Sequence, residues 1–442
     1  MKKTKNNKAI FVNNIVNRLI SLSLATIMPL SAAGCSQKKD SYDENINQGT
    51  IYYDLDEYYL KNSKEYYEYE SSELNSIIDE IKDIKYVSNY DEFDNYNIYE
   101  KPSLELAEIL NDSYSFKNED YPINYDWYNN GVIDEDLLCK RICDNNTKAG
   151  VENKKEVLEI IELIPSVMTK NVNLIKNKSS EFKFNIAFYN LNNLVVDITR
   201  QDDCAALYIN DDNKILVNYD YTKNYTSMKN TISHECFHLL LNKCINCIPY
   251  FHNGCALDAS FTDESPLIHT FLTELVTDDF SYEAFGETPD DLYYEERSKL
   301  KLICEATDKN INYFKNAVLT SNSMSIMEAF EPEFRNINYA YSIFNAIDKY
   351  CYYGYFDVNW DYELFRAASL NYARLGLLKN YYVKIIKQVK TNKITKDEGN
   401  RKIAEIKKSF SITDLSSSID DNYLECMDEL DSIYEKNFSK IK

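Results

Sequence analysis

Glycine is scarce in this chain, and that scarcity restricts the available folds more than any other feature. The sequence has 9 glycines in 442 residues, about 2%, whereas globular proteins average roughly 7%. Tight turns in sheet-rich architectures rely on glycine, because it adopts left-handed backbone conformations without a steric penalty. A mainly helical fold is therefore expected. Apolar residues at helical spacing predict helices at 71–87, 103–111, 134–143, 152–176, 360–391 and 400–408.

After residue 181 the apolar residues no longer follow helical spacing, and short runs of β-branched and aromatic residues are separated by turn residues. These runs predict strands at Phe184–Tyr189, Leu194–Ile198, Ala205–Ile209 and Ile215–Tyr219, with a hairpin turn at 210–213. Helices are expected to follow at 227–241 and 264–282. We therefore predict an α+β, mostly helical fold in which a small mixed sheet precedes a helix and helical regions flank both.

The first 35 residues have the pattern of an export signal. Residues 1–34 carry five basic and no acidic side chains, and Leu19–Leu30 is an apolar stretch of 12 residues. Such a stretch is typical of a signal peptide and too short to span a bilayer. Small residues ending in Gly34-Cys35 are similar to a lipobox, which predicts lipidation of Cys35 and attachment to the outer face of a bacterial membrane. Cleavage without lipidation and full secretion is the alternative.

The rest of the chain divides by composition into four predicted regions. These are a flexible, acidic, Tyr-rich tether (35–70), an N-terminal helical region (71–180), a core (181–285) and a C-terminal helical domain (286–442). The net charge of −22 argues against nucleic acid as a partner, because phosphate binding needs a basic surface. Of the 11 cysteines, those other than Cys35 are even in number and can pair outside the cell, or stay thiols in an anaerobic source.

The strongest chemical signal is His234-Glu235-Cys236-Phe237-His238, within the helix predicted at 227–241. His234 and His238 are four residues apart and lie one turn apart on one helix face. Two imidazoles so placed can both ligate one zinc ion, at about 2.0–2.1 Å. Glu235 lies beside that position, where it can take a proton from water activated by the ion and pass it to a leaving amine.

A third ligand is expected on the helix predicted next. Glu274 offers a carboxylate oxygen, and Asp278, one turn further, can accept a hydrogen bond from the non-ligating nitrogen of His234. Glu264 and His269 are the rival third ligands. A metzincin-type site is excluded, because that motif needs Gly and His where this chain has Leu241 and Cys244.

In these residues the sequence resembles the gluzincins, the thermolysin-like clan of zinc metallopeptidases, over about 181–282. The resemblance implies a zincin-like core with zinc on His234, His238 and Glu274, Glu235 as general base and Asp278 behind His234. It also implies that the outer hairpin strand binds an extended peptide or protein substrate by strand addition; the strand residues are Ala205, Ala206, Leu207 and Tyr208. Gluzincins use a His or Tyr to stabilise the oxyanion, and Tyr282, Tyr341 and His269 are the candidates here.

Between the two predicted helices lie Cys244, Cys247, His252 and Cys255, whose spacing is close to that of a small structural zinc site. Disulfides and free thiols are the other interpretations of this segment. For the whole chain, the leading hypothesis is a membrane-tethered zinc metallopeptidase. The alternative is a catalytically silent, zincin-like binding or adhesion lipoprotein. A solute-binding lipoprotein would need two α/β lobes of repeated strand-helix units, which the sequence does not contain.

Overall fold

The fold is α+β and mostly helical, as predicted, with about 73% of the described residues in helices. It is known from a computed structural model. The described residues are 72–88, 121, 123–152, 154–180, 182–199, 205–209, 212–220, 222, 225–242, 251–253, 256–258, 270–288, 293–320, 323–335, 337–353, 360–411 and 421–438. The predicted signal segment, Cys35, the tether and the helix predicted at 103–111 lie outside these residues.

The first half of the described chain combines helices with a short hairpin. The helices are α1 (Ser72–Asp83), α2 (Glu135–Lys148), α3 (Lys155–Lys178) and α4 (Asn185–Asn192), and the hairpin strands are β1 (Tyr128–Asn129) and β2 (Val132–Ile133). Asn130 and Gly131 both have positive φ, at 51° and 84°, as a two-residue type I′ hairpin turn requires. Asp134 caps α2 by accepting a hydrogen bond from the Leu137 amide at 3.0 Å.

A three-stranded sheet follows, made of β3 (Val195–Thr199), β4 (Ala206–Ile209) and β5 (Lys214–Asn218). Its strand order is β3-β5-β4, with β3 parallel and β4 antiparallel to β5. The sheet is therefore mixed, and β4 and β5 pair antiparallel as the two strands of the predicted hairpin do; Asn210 and Asp211 of its turn lie outside the described residues. Among the described residues, β4 is the last strand on its side of the sheet.

The first of the four predicted strands, Phe184–Tyr189, was wrong, because residues 185–189 belong to helix α4 and Phe184 is its N-cap. Short apolar runs do not distinguish a buried strand from a buried helix by periodicity. Here tertiary contacts of the aromatic rings favour the helix. Phe188 packs edge-on against Trp127 and Tyr128, with ring centroids 5.4 and 4.6 Å away. The helix also buries Ile186 and Leu191.

The remaining elements are predominantly helical. They are α5 (Tyr225–Leu241), β6 (Phe251–Asn253), β7 (Ala256–Asp258), α6 (Thr270–Glu283), α7 (Tyr294–Thr307), α8 (Ile311–Thr320), α9 (Ser323–Met327), a 3₁₀ turn (Pro332–Phe334), α10 (Ile337–Tyr353), α11 (Trp360–Lys390), α12 (Lys396–Ser411) and α13 (Asp421–Phe438). Strands β6 and β7 form an antiparallel hairpin. Within the described chain, no helix combines the length and the apolar character needed to cross a bilayer.

Helix α5 is the centre of the packing around the sheet, where it contacts α3, α4, α6 and β4. A buried pair of polar side chains fixes it against α3. Asn171 donates to the Ser233 carbonyl at 3.1 Å, and the Ser233 hydroxyl donates to the Asn171 side chain at 2.9 Å. Because Ser233 directly precedes His234, this pair sets the rotation of α5 at the point where the motif begins.

Helix α1 packs against α11 and α13, at the other end of the sequence, whereas α2 and α3 pack around the sheet and α5. Lys379 of α11 caps the C-terminal end of α1, where its ammonium group donates to the carbonyls of Lys82 and Ile84 at 2.7 and 2.8 Å. Burial lowers the pKa of Lys379 to about 8. The parts of the predicted N-terminal helical region thus lie against different neighbours. The proposed domain boundaries stay a prediction.

Candidate metal centre

Helix α5 presents the motif as the sequence predicts. Its apolar side chains Ile232, Phe237 and Leu239 are completely buried, so the helix cannot rotate without exposing them. His234 and His238 retain 14% and 12% side-chain exposure, and their rings lie 4.8 Å apart between centroids. Burial raises the pKa of the Cys236 thiol, and the neighbouring Glu235 charge raises it further. Cys236 is therefore a protonated core side chain.

Helix α6 packs against α5 and brings Glu274 to both histidines. The His234 and His238 Nε2 atoms are 3.0 Å apart. The Glu274 carboxylate lies 3.2 Å from His234 Nε2 and 3.4 Å from His238 Nε2. The three side chains form a group whose ligand atoms all lie within 4.8 Å of one another, so the structure contains a possible metal-binding triad.

The triad fits a small divalent ion. For zinc with ligands at about 2.0–2.1 Å, tetrahedral geometry places neighbouring ligand atoms about 3.3 Å apart. The two Nε2 atoms are 3.0 Å apart, and each faces a different oxygen of Glu274, His234 facing Oε2 at 3.2 Å and His238 facing Oε1 at 3.4 Å. Two imidazoles and one carboxylate are a donor set that catalytic zinc sites use, with a fourth position left for water or substrate. The partial exposure of both histidines is compatible with such an opening.

The electrostatics of Glu274 favour its charged form. Burial by itself raises the pKa of this carboxyl, but the charge of His238 and hydrogen bonds from both histidines outweigh burial and hold the pKa well below its usual range. An ionised carboxylate is the form that ligates a metal.

Glu235, which directly follows His234, faces the sheet. Its carboxylate is buried and accepts a hydrogen bond from the Tyr208 backbone N–H at 2.7 Å. The Ala205 carbonyl accepts a hydrogen bond from the Asn218 N–H of β5. Main-chain groups alternate in direction along a strand of an antiparallel pair, so those of Ala206 and Tyr208 point away from β5, to the outer edge of β4. The carboxylate of the predicted general base thus touches the strand predicted to bind substrate.

Asp278 lies one helical turn after Glu274 on α6 and faces His234, but the hydrogen bond predicted between them is not formed. Its Oδ1 is 3.9 Å from His234 Nδ1, longer than a hydrogen bond of about 2.7–3.2 Å. Its Oδ2 accepts from Arg297 Nη2 at 2.8 Å. Arg297 also donates to the adjacent Asp279, through Nε at 3.2 Å and Nη2 at 3.1 Å, and Lys315 on α8 pairs with the other Asp279 oxygen at 3.0 Å.

Tyr293, directly before α7, also lies at the triad and is not among the sequence candidates. Its ring is parallel to that of His234, with an interplanar angle of 4° and centroids 6.2 Å apart, and its hydroxyl donates to Glu274 Oε2 at 3.4 Å. The sequence offers no signal that separates Tyr293 from the other 37 tyrosines of a chain with 38. Only the packing of α7 against α6 brings it to this position.

The three oxyanion candidates do not gain support from the structure. Tyr282 is eight residues beyond Glu274, which places it about 12 Å further along α6 at a rise of about 1.5 Å per residue. The side chain of Tyr341 and the whole of His269 lie outside the described residues, as does Glu264.

The cysteine-rich segment is described only in part. The backbone of His252 pairs with Leu257 in the β6–β7 hairpin, whereas Cys244, Cys247 and Cys255 lie outside the described residues, so the prediction of a second zinc site remains untested. The described cysteines are thiols: Cys139, Cys143, Cys236, Cys304, Cys351 and Cys426.

No protein-family model matches the chain, and neither a curated protein nor a solved structure matches it.

Proposed function

We propose that this protein is a zinc metallopeptidase that hydrolyses peptide bonds. The observation that carries the proposal is the convergence of His234, His238 and Glu274 beside a second carboxylate, Glu235, that is outside the triad and is held at the edge of β4. A metal-binding site with a purely structural role does not need that second carboxylate. A hydrolytic site does, because proton transfer to and from the reacting groups needs a base within reach.

Three residues of the chain have distinct roles in the proposed reaction. When zinc is bound, it supplies Lewis acidity that polarises the substrate carbonyl and acidifies water. Glu235 takes the proton of the attacking water and passes it to the leaving amine. The Tyr208 N–H holds one carboxylate oxygen of Glu235 at 2.7 Å, which fixes its direction before substrate binds. Tyr293, whose hydroxyl is near the triad, is suited to donate to the developing oxyanion.

The proposed substrate-binding element is strand β4, whose outer edge would pair with the substrate backbone. An extended peptide that pairs with the outward-facing main chain of Ala206 runs past Glu235, because Glu235 already accepts from the Tyr208 N–H at the same strand edge. Side-chain preferences would come from the walls of the site, whereas the backbone pairing is independent of substrate sequence. The proposal therefore favours unstructured polypeptide segments over folded proteins as substrates.

Ala206→Pro tests this pairing, because it removes an N–H that points away from β5 and leaves the ladder to β5 intact. We expect kcat/KM for an unstructured peptide to fall roughly 2- to 10-fold, the effect of one hydrogen bond of about 0.5–1.5 kcal/mol, with the unfolding midpoint nearly unchanged. Ala206→Val keeps the N–H and should keep the activity. Leu207→Pro removes an N–H that faces β5 and should lower the unfolding midpoint instead. Unchanged kcat/KM in Ala206→Pro would exclude strand addition at this edge.

The proposed setting is extracytoplasmic, with the protein held on the membrane through a lipid on Cys35. This part of the proposal depends on the sequence pattern of 1–35 alone. In this position the enzyme would act on peptides outside the cell.

Metal content and chelator sensitivity of the full-length protein test the proposed function directly. We expect about one zinc ion per chain by elemental analysis, cleavage of casein or a peptide library, loss of cleavage with a chelator, and recovery when zinc is restored. Zinc without cleavage would favour the catalytically silent binding protein. Protein that neither contains nor takes up zinc would refute the proposed function.

A further inference from the structure

Arg297 occupies a position that the proposed reaction does not use, one contact away from His234. It lies on α7, while the triad belongs to α5 and α6. Its guanidinium reaches Asp278 Oδ2 at 2.8 Å, and the other oxygen of the same carboxylate faces His234 Nδ1 at 3.9 Å. Arg297 thus contacts the side chain behind a candidate metal ligand.

The guanidinium is itself held in place. Nε and Nη2 both donate to Asp279 Oδ1, and Lys315 pairs with Asp279 Oδ2 at 3.0 Å. Two consecutive carboxylates of α6 therefore face two cations from α7 and α8. The side chains of Asp278 and Asp279 are only 7% and 9% exposed, and buried carboxylates without such partners would be strongly disfavoured.

The fork geometry explains why an arginine is needed here. One planar guanidinium carries several donors in fixed directions, so it contacts Asp278 and Asp279 at the same time, whereas an ammonium group is a single point of charge. Tyr293 and Arg297 are four residues apart at the start of α7, the spacing of neighbours on one helix face. Tyr293 stacks on His234 while Arg297 holds Asp278, so the start of α7 contacts both His234 and the carboxylate behind it.

We propose that Arg297 is a positioning residue of the metal centre, which holds the Asp278 carboxylate toward Nδ1 of His234 and thereby keeps Nε2 of His234 directed at the metal. This inference rests on the proposed function, because it presumes that the triad binds zinc. A carboxylate behind a ligating histidine orients its ring and tautomer, and here Asp278 faces Nδ1 across 3.9 Å, the distance of an ion pair and not of a hydrogen bond. That carboxylate can act in this way only if its own rotamer is held, and Arg297 holds its other oxygen at 2.8 Å.

The test compares the zinc affinity of Arg297→Gln with that of Arg366→Gln in the full-length protein. Arg366 is a matched control, because it also joins a neighbouring helix to α7 through an ion pair, with Glu295 at 2.9 Å, but it contacts none of the triad. Zinc affinity is measured by competition with a chelator, and the unfolding midpoint is measured separately in the metal-free protein. We expect Arg297→Gln to weaken zinc binding about 10- to 100-fold, the usual effect of losing an outer partner of a metal site. Arg366→Gln should change the zinc affinity less than about 2-fold, although each variant loses ion pairs to two carboxylates.

A double-mutant cycle with Asp278→Asn tests whether the effect passes through Asp278. If it does, adding Arg297→Gln to Asp278→Asn should weaken zinc binding by less than about 3-fold. Arg297→Lys keeps the charge with poorer geometry and should lie between wild type and Arg297→Gln. If Arg297→Gln does not fold, the zinc affinity of Arg297→Lys is compared with that of Arg366→Lys instead.

The outcomes separate this inference from the function on which it rests. Wild-type protein that does not bind zinc refutes the proposed function. Wild-type protein that binds zinc, together with an Arg297→Gln variant within about 2-fold of it, refutes the positioning role alone. An equal loss in Arg366→Gln, or the full loss persisting in the Asp278→Asn background, also overturns it.

Discussion

Glu235→Gln is expected to abolish peptide cleavage while the protein still binds about one zinc ion per chain. The amide has the size of the carboxylate and can still accept the hydrogen bond from the Tyr208 N–H, so the local structure is retained. An amide cannot take a proton from water, however, and general acid–base catalysis contributes about 10²- to 10⁴-fold in rate. We expect kcat/KM for an unstructured peptide to fall by at least about 100-fold, measured beside zinc content by elemental analysis.

The matched control for this variant is Glu283→Gln on the same pair of helices. Glu283 is a partly exposed carboxylate that pairs with Lys178, away from the triad, so its loss should leave both zinc content and cleavage close to wild type. Full activity in Glu235→Gln would contradict the proposed mechanism even if zinc binding were confirmed. Loss of zinc in that variant would instead mean that Glu235 belongs to the metal-binding set.

Glu274→Ala is expected to have the largest effect on the metal. It removes the carboxylate that lies within 3.2–3.4 Å of both histidines and leaves two imidazoles as the remaining ligands. Losing an outer partner weakens metal binding about 10- to 100-fold, so the loss of a direct ligand should exceed about 100-fold. Chelator competition measures the affinity, and the zinc-induced rise in unfolding midpoint should shrink with it, because ligand binding stabilises the native state by mass action.

Glu264→Gln and His269→Gln test the rival third ligands in the same assay. Both residues precede α6, and we expect either variant to bind zinc as wild type does. If one of them loses zinc while Glu274→Ala retains it, the assignment of Glu274 is wrong. If all three variants bind zinc equally, a ligand outside this set completes the site.

Much of the site was predictable, because its parts are local in sequence. Four-residue spacing puts His234 and His238 on one helix face, and the same rule relates Glu274 to Asp278. The observed helices α5 and α6 (Tyr225–Leu241 and Thr270–Glu283) and strands β3 to β5 overlap the predicted elements closely. These elements are periodic enough for side-chain pattern to determine their type.

The error at Phe184–Tyr189 shows where local pattern stops being informative. Six residues of mixed apolar and aromatic type satisfy a strand or a helix equally well. The choice is made by contacts of Phe188 with Trp127 and Tyr128, about 60 residues earlier in the chain. Such contacts depend on the arrangement of the whole core and leave no trace in the sequence of the segment itself.

The sequence alone determined the mainly helical fold, the two-histidine helix, and the pairing of Glu274 with Asp278 one turn apart. It also carries the export pattern. Only the tertiary structure decided that Glu274 reaches both histidines, that Glu235 lies against the Tyr208 amide, and that Tyr293 and Arg297 approach the site from α7. The physical reason is that spacing within a helix follows from backbone geometry, whereas contacts between helices follow from how buried apolar faces fit together across the chain.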